Sequence, residues 1–148
     1  MKRNLICIIV ILIVTAMVFS SCGVYNGALL NQMMWKLESA VSAKTQILDR
    51  ASVHGKLNGN GNGVQFFGAV LVEGIAEEEI RQIIEQLSDE YEEVNYAKQS
   101  GNEIQLRHLE HRKPRFSYSS FAENKQYYMI YFIESEHPYA NPMDLSGH

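Results

Sequence analysis

The sequence predicts an α+β fold, a two-layer sandwich in which two helices cover a mainly antiparallel sheet. Apolar residues recur at helical spacing in two separate segments, and segments of alternating polarity follow each of them. Three consecutive Asn-Gly pairs also separate two of the alternating segments, which is typical of a hairpin. The order α, β, β, α and then further strands is the pattern of a two-layer α+β domain. No repeat or linker divides the 148-residue chain, so we expect one domain.

The first predicted helix of the domain runs from Ala28 to about Arg50. Asn26 precedes it and is a candidate N-cap, because its side chain can accept a hydrogen bond from an unpaired backbone N–H of the first turn. Trp35 lies off the apolar stripe, which predicts a position on the outer face of the helix, at lipid headgroups or against a partner. A helix that is buried on both sides is the alternative. The apolar stripe consists of Leu30, Met33, Met34, Leu37, Val41 and Leu48.

The next segment is predicted to be a β-hairpin. Residues 52–57 alternate in polarity and form the first strand, and Val64 to Glu73 form the returning strand. Residues 58–63, the three Asn-Gly pairs, connect them. Asn and Gly tolerate the positive φ angles that tight hairpin turns need.

A second helix is predicted after Gly74. Glu77, Glu78 and Glu79 supply negative charge at the positive end of the helix. A single apolar stripe at spacings of three and four then follows: Ile80, Ile83, Ile84, Leu87 and Tyr91.

Further strands complete the predicted sheet. A short strand is expected around Val94 and Tyr96, and a second at 104–108, whose alternate residues are polar. A polar alternate face favours an antiparallel sheet covered on one side only. Residues 127–133 are apolar on both sides, which predicts a central strand or a strand with a second layer over it.

Aromatic residues are concentrated in residues 116–139. Burial in the core is the expected role of these side chains in a small domain. Tyr127 and Tyr131 lie on the strand face opposite Tyr128, and that face is a candidate partner surface if no second layer covers it. The eight aromatic residues are Phe116, Tyr118, Phe121, Tyr127, Tyr128, Tyr131, Phe132 and Tyr139.

The chain begins with the three-part pattern of a secretory signal peptide. Lys2 and Arg3 precede an apolar run, Leu5 to Phe19, in which only Thr15 carries a hydroxyl, and small residues follow it. As a helix the run would be roughly 22 Å long, shorter than a hydrocarbon core of about 30 Å. Extension to Val24 would bring it closer to spanning, so an uncleaved anchor is the alternative.

Residues 18–23, Val-Phe-Ser-Ser-Cys-Gly, resemble the lipobox of bacterial lipoproteins. The resemblance implies that residues 1–21 are a signal peptide and that Cys22 becomes the first residue of the mature chain, with lipid such as palmitate on its sulfur. Residues 22–148 would then form a single α+β domain with an N-terminal helix and a short C-terminal tail. The implied location is the cell membrane, through a lipid anchor, facing the extracytoplasmic side.

The charge of the chain disfavours nucleic acid as a partner. The net charge is −4, and removal of residues 1–21 takes away Lys2 and Arg3 without any acidic residue, which moves it to −6. Binding to a phosphate backbone requires a basic surface.

Residues 107–115 contain the strongest candidates for a ligand site. A local basic cluster, in which an anionic lipid headgroup or cell-wall polymer would bind, is formed by Arg107, Arg112, Lys113 and Arg115. A solvated loop, or a loop facing the acidic second helix, is the alternative. His108 and His111 are three residues apart, but without an HExxH or paired CxxC motif they predict no metal site, and we expect no cofactor.

The sequence contains no signature of a catalytic nucleophile or phosphate loop: GxSxG, SxxK and GxxxxGK[ST] are absent. We therefore expect a non-enzymatic, lipid-anchored envelope protein that binds an envelope protein or a cell-wall component. A single-pass membrane subunit of an envelope complex and a small envelope hydrolase are the alternatives.

Overall fold

The computed structural model describes residues 2–55, 64–104, 106, 109 and 114–135, with residues 2–5 and 16–23 as backbone only. Its architecture is the predicted α+β sandwich, with an antiparallel sheet and two α-helices in the described residues. The elements are α1 (Lys2–Ser42), β1 (Ile47–Gly55), β2 (Gln65–Glu73), α2 (Glu77–Leu87), β3 (Glu93–Gln99) and β4 (Tyr127–Glu134).

The sheet is antiparallel throughout, in the order β1-β2-β4-β3. β1 pairs with β2, as the hairpin prediction requires, although the Asn-Gly turn itself lies outside the described residues. β2 and β4 are the central strands, with Val70 opposite Ile130. The chain thus runs through the order α-β-β twice, and the prediction that residues 127–133 form a central strand is confirmed.

Both helices cover the same face of the sheet. Their apolar stripes meet the side chains of Phe66, Val70 and Phe132, which have no solvent exposure. The buried helical residues of this layer are Leu30, Met34, Leu37, Ala40 and Val41 from α1 and Ile80, Ile83 and Leu87 from α2. Burial of each large aliphatic side chain contributes about 1.5–3 kcal/mol, so this layer is a main source of stability.

The other face of the sheet is also covered, and the prediction of a sheet covered on one side only is wrong. The β3–β4 connection, of which residues 100–104, 106, 109 and 114–126 are described, packs Ile104, Leu109 and Phe116 against Tyr127, Met129 and Tyr131. Tyr127 and Tyr131 are therefore core residues and not a partner surface. Tyr139 lies outside the described residues.

The predicted strand at residues 104–108 is not formed in its described part. Among its described residues, Glu103 and Arg115 form an isolated antiparallel bridge. The Ile104 N–H donates to the Pro114 carbonyl at 3.2 Å, and the Phe116 N–H donates to the Asn102 carbonyl at 2.9 Å. Alternating polarity here reflects an extended segment that buries one side against the sheet without becoming a strand of it.

Helix α1 differs from its predicted bounds at both ends. It begins at Lys2, so Asn26 is a fully buried residue within the helix and not its N-cap. It ends at Ser42, where the Lys44 and Thr45 N–H groups both donate to the Val41 carbonyl at 3.0 Å. Leu48 therefore belongs to β1 and packs on the opposite face of the sheet.

Helix α2 confirms the predicted apolar stripe but stops at Leu87. The Ala76 N–H donates to Glu79 Oε2 at 3.3 Å, which satisfies one unpaired donor at the helix start. Tyr91 lies beyond the helix yet remains buried, and its ring stacks on that of Phe132 with centroids 4.6 Å apart.

Candidate functional site

The first part of α1 exposes a continuous run of apolar side chains. Large residues from Ile6 to Val14 are 47–63% exposed, although burial is the usual state of such side chains. A helix that is apolar on all sides is stable only when it is buried in protein or lipid, and here it projects ahead of the domain. Within the described part of the chain, no helix has both the length and the apolarity to cross a membrane.

Cys22 lies in α1 between the exposed apolar run and the packed part of the helix. Its side chain is outside the described atoms, so the lipidation site remains a prediction. The helix backbone is continuous through it, and Asn26, the first residue of the helix described as buried, comes four positions later. At about 1.5 Å per residue, the candidate anchor point is about 6 Å along the axis from the folded core.

Only one member of the predicted basic cluster is described. Arg107, Arg112 and Lys113 lie outside the described residues, as do His108 and His111. The Arg115 guanidinium forms an ion pair with Glu103 at 2.8 Å, across the isolated bridge. The Glu103 carboxylate already partly neutralises the positive charge of Arg115, so Arg115 would attract an anionic ligand less strongly. In the residues that the structure describes, no group of three metal-ligating side chains occurs.

Sequence reasoning missed a polar site around Lys125, at the end of the sheet where α1 terminates. Lys125 Nζ contacts Glu73 Oε1 at 2.9 Å and Oε2 at 3.1 Å, and this carboxylate raises the pKa of Lys125. Two open clefts, of about 480 and 430 Å³, share Lys125 in their walls. Glu73 and Lys125 are 52 positions apart, so no local spacing could have indicated them.

The walls of these clefts combine hydrogen-bonding groups with aromatic rings. The Tyr128 hydroxyl donates to Glu77 Oε1 at 3.2 Å and accepts a hydrogen bond from Gln126. Phe121 and Tyr127 pack edge to face with centroids 4.9 Å apart. Aromatic faces beside amide, carboxylate and ammonium groups suit ligands with both polar and apolar surface.

A second groove lies between the two helices. The indole of Trp35 is 68% exposed, which confirms its predicted position on the outer face. Lys36 forms an ion pair with Glu90 across this groove. The Tyr91 hydroxyl donates to the Met33 carbonyl at 2.6 Å, which adds a second link between α1 and the segment that follows α2. The groove has a volume of about 320 Å³ and is lined by Trp35, Lys36, Ser39, Ala40, Ala43, Gln86, Leu87 and Glu90.

The perturbed titratable groups in the described part of the chain are tyrosines and basic residues, and each pKa is raised. Burial raises the pKa of Tyr91 to about 12, with a smaller effect of the Glu90 carboxylate. Burial also raises the pKa of Tyr128 and Tyr131. A general acid or base is most effective when its pKa lies near the working pH, so these shifts move the groups away from catalysis near neutral pH.

No protein-family model, curated protein or solved structure gives a significant match to this chain. The function is therefore inferred from the residues and their geometry.

Proposed function

We propose that the chain is a lipid-anchored cell-envelope protein that acts by binding. Lipid on Cys22 would hold the α+β domain at the extracytoplasmic face of the cell membrane. The observation that carries the proposal is the exposed apolar run at residues 6–15, directly ahead of the lipobox-like residues 18–23.

The exposed run is favourable only where it is removed from water, in lipid, in a targeting channel or against another protein. Transfer of a fully exposed Val, Leu or Ile side chain out of water contributes about 1.5–3 kcal/mol, and most residues between Ile6 and Val14 are of these types. The apolar run from Leu5 to Phe19 would be roughly 22 Å long as a helix, shorter than a hydrocarbon core of about 30 Å. A run too short to span the bilayer is typical of a signal peptide that is cleaved, so this length supports removal of the segment. The continuity of α1 through Cys22 supports the alternative, an uncleaved single-pass subunit.

Binding rather than catalysis is supported by the character of the described surfaces. The clefts beside Lys125 and the groove beside Trp35 present hydrogen-bonding groups and aromatic rings. An envelope protein or a cell-wall component is the partner class that these surfaces and the proposed location favour.

The intact mass of the protein from the membrane fraction tests the anchor. We expect a chain that begins at Cys22 and carries acyl groups, and Cys22→Ser should yield unprocessed precursor or release the protein from the membrane. Cys7→Ser is the matched control, because it removes the other cysteine from the segment that is cleaved and should leave the mature mass unchanged. A full-length, membrane-bound chain with unmodified Cys22 would refute the proposal and support the single-pass alternative.

A further inference from the structure

One of the two clefts that share Lys125 holds a positive and a negative group without a counter-charge. It has a volume of about 430 Å³. Lys98 and Glu123 both line it, and neither forms an ion pair with any residue that the structure describes. The charge of Lys125, by contrast, is already opposed by Glu73. We call this site the Lys98–Glu123 cleft; its walls include Lys98, Ser100, Phe121, Glu123, Lys125 and Tyr127.

The backbone that carries Lys98 is held by the sheet and by the turn after β3. Lys98 pairs in register with Tyr128 of the central strand β4. The adjacent Gln99 is 8% exposed, and its side-chain amide donates to the Gly101 carbonyl at 2.8 Å. The ammonium therefore extends from a fixed position at the edge of the cleft.

The turn that carries Glu123 is fixed at three points. The Lys125 N–H donates to the Ala122 carbonyl at 3.1 Å, and the Ala122 N–H donates to the Tyr127 hydroxyl at 3.0 Å. The Lys125 side chain adds the ion pair to Glu73. A site on such fixed backbone loses less conformational freedom when a ligand binds.

The Lys98–Glu123 cleft also has an apolar wall. Phe121 is half-buried and packs edge to face on Tyr118 and on Tyr127, with centroids 5.1 and 4.9 Å apart. These contacts fix the ring, whose exposed part lines the cleft. An apolar surface with a few well-placed polar groups is typical of a site for a small molecule.

The cleft lies at the end of α1 opposite the candidate anchor point. Thr45 Oγ1 donates to the Glu73 carbonyl at 3.4 Å, and Glu73 pairs with Tyr127 of the cleft wall. Ser42, the last residue of α1, comes 20 positions after Cys22, which is about 30 Å along the continuous helix. This separation disfavours headgroups of the anchoring membrane as the ligand and favours a molecule from outside that membrane.

We propose that the Lys98–Glu123 cleft binds a small zwitterion, an amino acid or a short peptide with both termini free. The carboxylate of the ligand pairs with Lys98 and its ammonium pairs with Glu123, so each unopposed charge of the cleft gains a partner. This ligand class rests on the proposed binding function. It does not require lipid on Cys22, so anchoring and ligand binding can fail separately.

Isothermal titration calorimetry of the full chain in detergent tests the ligand class with the dipeptide Ala-Ala and its blocked forms. N-acetylation removes the ammonium of the dipeptide, and C-amidation removes its carboxylate. We expect saturable binding of Ala-Ala, and each single block should weaken it by about fivefold, the effect of one solvent-exposed ion pair. The doubly blocked form should bind more weakly still. Free alanine, titrated in parallel, distinguishes an amino acid from a peptide as the preferred ligand.

Two variants of the cleft test the role of each charge. Lys98→Gln and Glu123→Gln should each weaken Ala-Ala binding by about fivefold. Lys98→Gln should not weaken binding of the C-amidated form, and Glu123→Gln should not weaken binding of the N-acetylated form, because the matching charge of the ligand is already absent. Lys44→Gln and Glu85→Gln, the same changes at exposed positions outside the cleft, are the controls and should leave the affinity unchanged.

Four outcomes would overturn the proposal. Equal affinity for Ala-Ala and its doubly blocked form would show that the charges of the ligand are not recognised. Equal weakening by the cleft variants and the controls would indicate an effect of net charge alone. A titration without saturable heat for both alanine and Ala-Ala would rule out this ligand class. Tighter binding of phosphoethanolamine or chitobiose would assign the cleft to a lipid headgroup or a glycan, and the proposed binding function would still stand.

Discussion

Gly68 lies in the central strand β2, on the face that α1 covers. A methyl group at this position would overlap the Met34 sulfur and the ring of Phe132. Phe132 has no exposure and Met34 is buried, so neither has open space into which to move. Glycine therefore sets how closely α1 approaches the sheet.

We predict that Gly68→Ala lowers the free energy of unfolding by about 1–3 kcal/mol, the usual cost of overpacking a core. Denaturant titration of the domain measures this. Gly27→Ala is the control, because a methyl group there meets no atom within 4 Å and alanine is the better helix former by about 1 kcal/mol. An unchanged stability for Gly68→Ala would show that α1 can move outward at no cost.

Tyr91 couples the stability of the domain to alkaline pH. Its folded-state pKa of about 12 exceeds the usual value of 10.0, so its contribution is fully present below pH 10 and is lost as the pH rises towards 12. We expect Tyr91→Phe to cost about 1 kcal/mol at pH 7, through loss of the hydrogen bond to Met33, and to flatten the decline above pH 10. Thermal melts between pH 7 and 12 test this, with the exposed Tyr25→Phe as control. If the stability of Tyr91→Phe fell as steeply above pH 10 as that of the unsubstituted protein, Tyr91 would not be the source of the pH dependence.

At the scale of elements, the β3–β4 connection acts as a second packing layer. Phe116 is 1% exposed in this layer, although it belongs to no strand of the sheet. A connection that buries large side chains contributes to stability as a helix would, and it removes the second sheet face from contact with partners.

We predict that Phe116→Ala lowers the free energy of unfolding by about 3–5 kcal/mol. Ser117→Ala, the adjacent exposed position, should change it by less than about 0.5 kcal/mol. Urea titration of both variants gives the comparison. A loss below about 1 kcal/mol for Phe116→Ala would indicate that the connection is detached from the sheet in solution.

The elements that the sequence predicted correctly are those with local signals. The stripe from Ile80 to Leu87 and the hairpin pattern around residues 52–73 depend on neighbours within a few positions. The end of α1 was misplaced because Leu48 continues the apolar periodicity but packs on the other face of the sheet. The polar site at Lys125 and the cover of the second face arise from residues far apart in the chain, whose proximity no spacing reveals.

At the scale of the molecule, the position of Asn26 and Leu30 in the core defines where the domain begins. A fragment that starts at Val24 keeps both, whereas a fragment that starts at Asn31 loses them. We expect the shorter fragment to be less stable by at least about 2 kcal/mol, the lower end of the cost of removing one large buried side chain. Equal melting curves for the two fragments would place the start of the core after residue 30.

Both layers of the core consist of apolar side chains packed on a paired sheet, so the fold has no visible need of a metal ion. We predict that excess chelator leaves the melting temperature unchanged, as followed by circular dichroism. A decrease of several degrees would contradict this and would implicate ligands beyond the described residues.

The absence of a break in α1 between residue 22 and the packed residues Leu30 and Met34 has a mechanical consequence. A pull or twist applied at residue 22 travels through the hydrogen-bonded helix and loads the contact between α1 and the sheet in shear. A flexible linker would absorb that load and let the domain swivel. Because α1 is continuous from residue 22 to the residues packed on the sheet, we expect a rotation of residue 22 about the helix axis to be transmitted to the sheet.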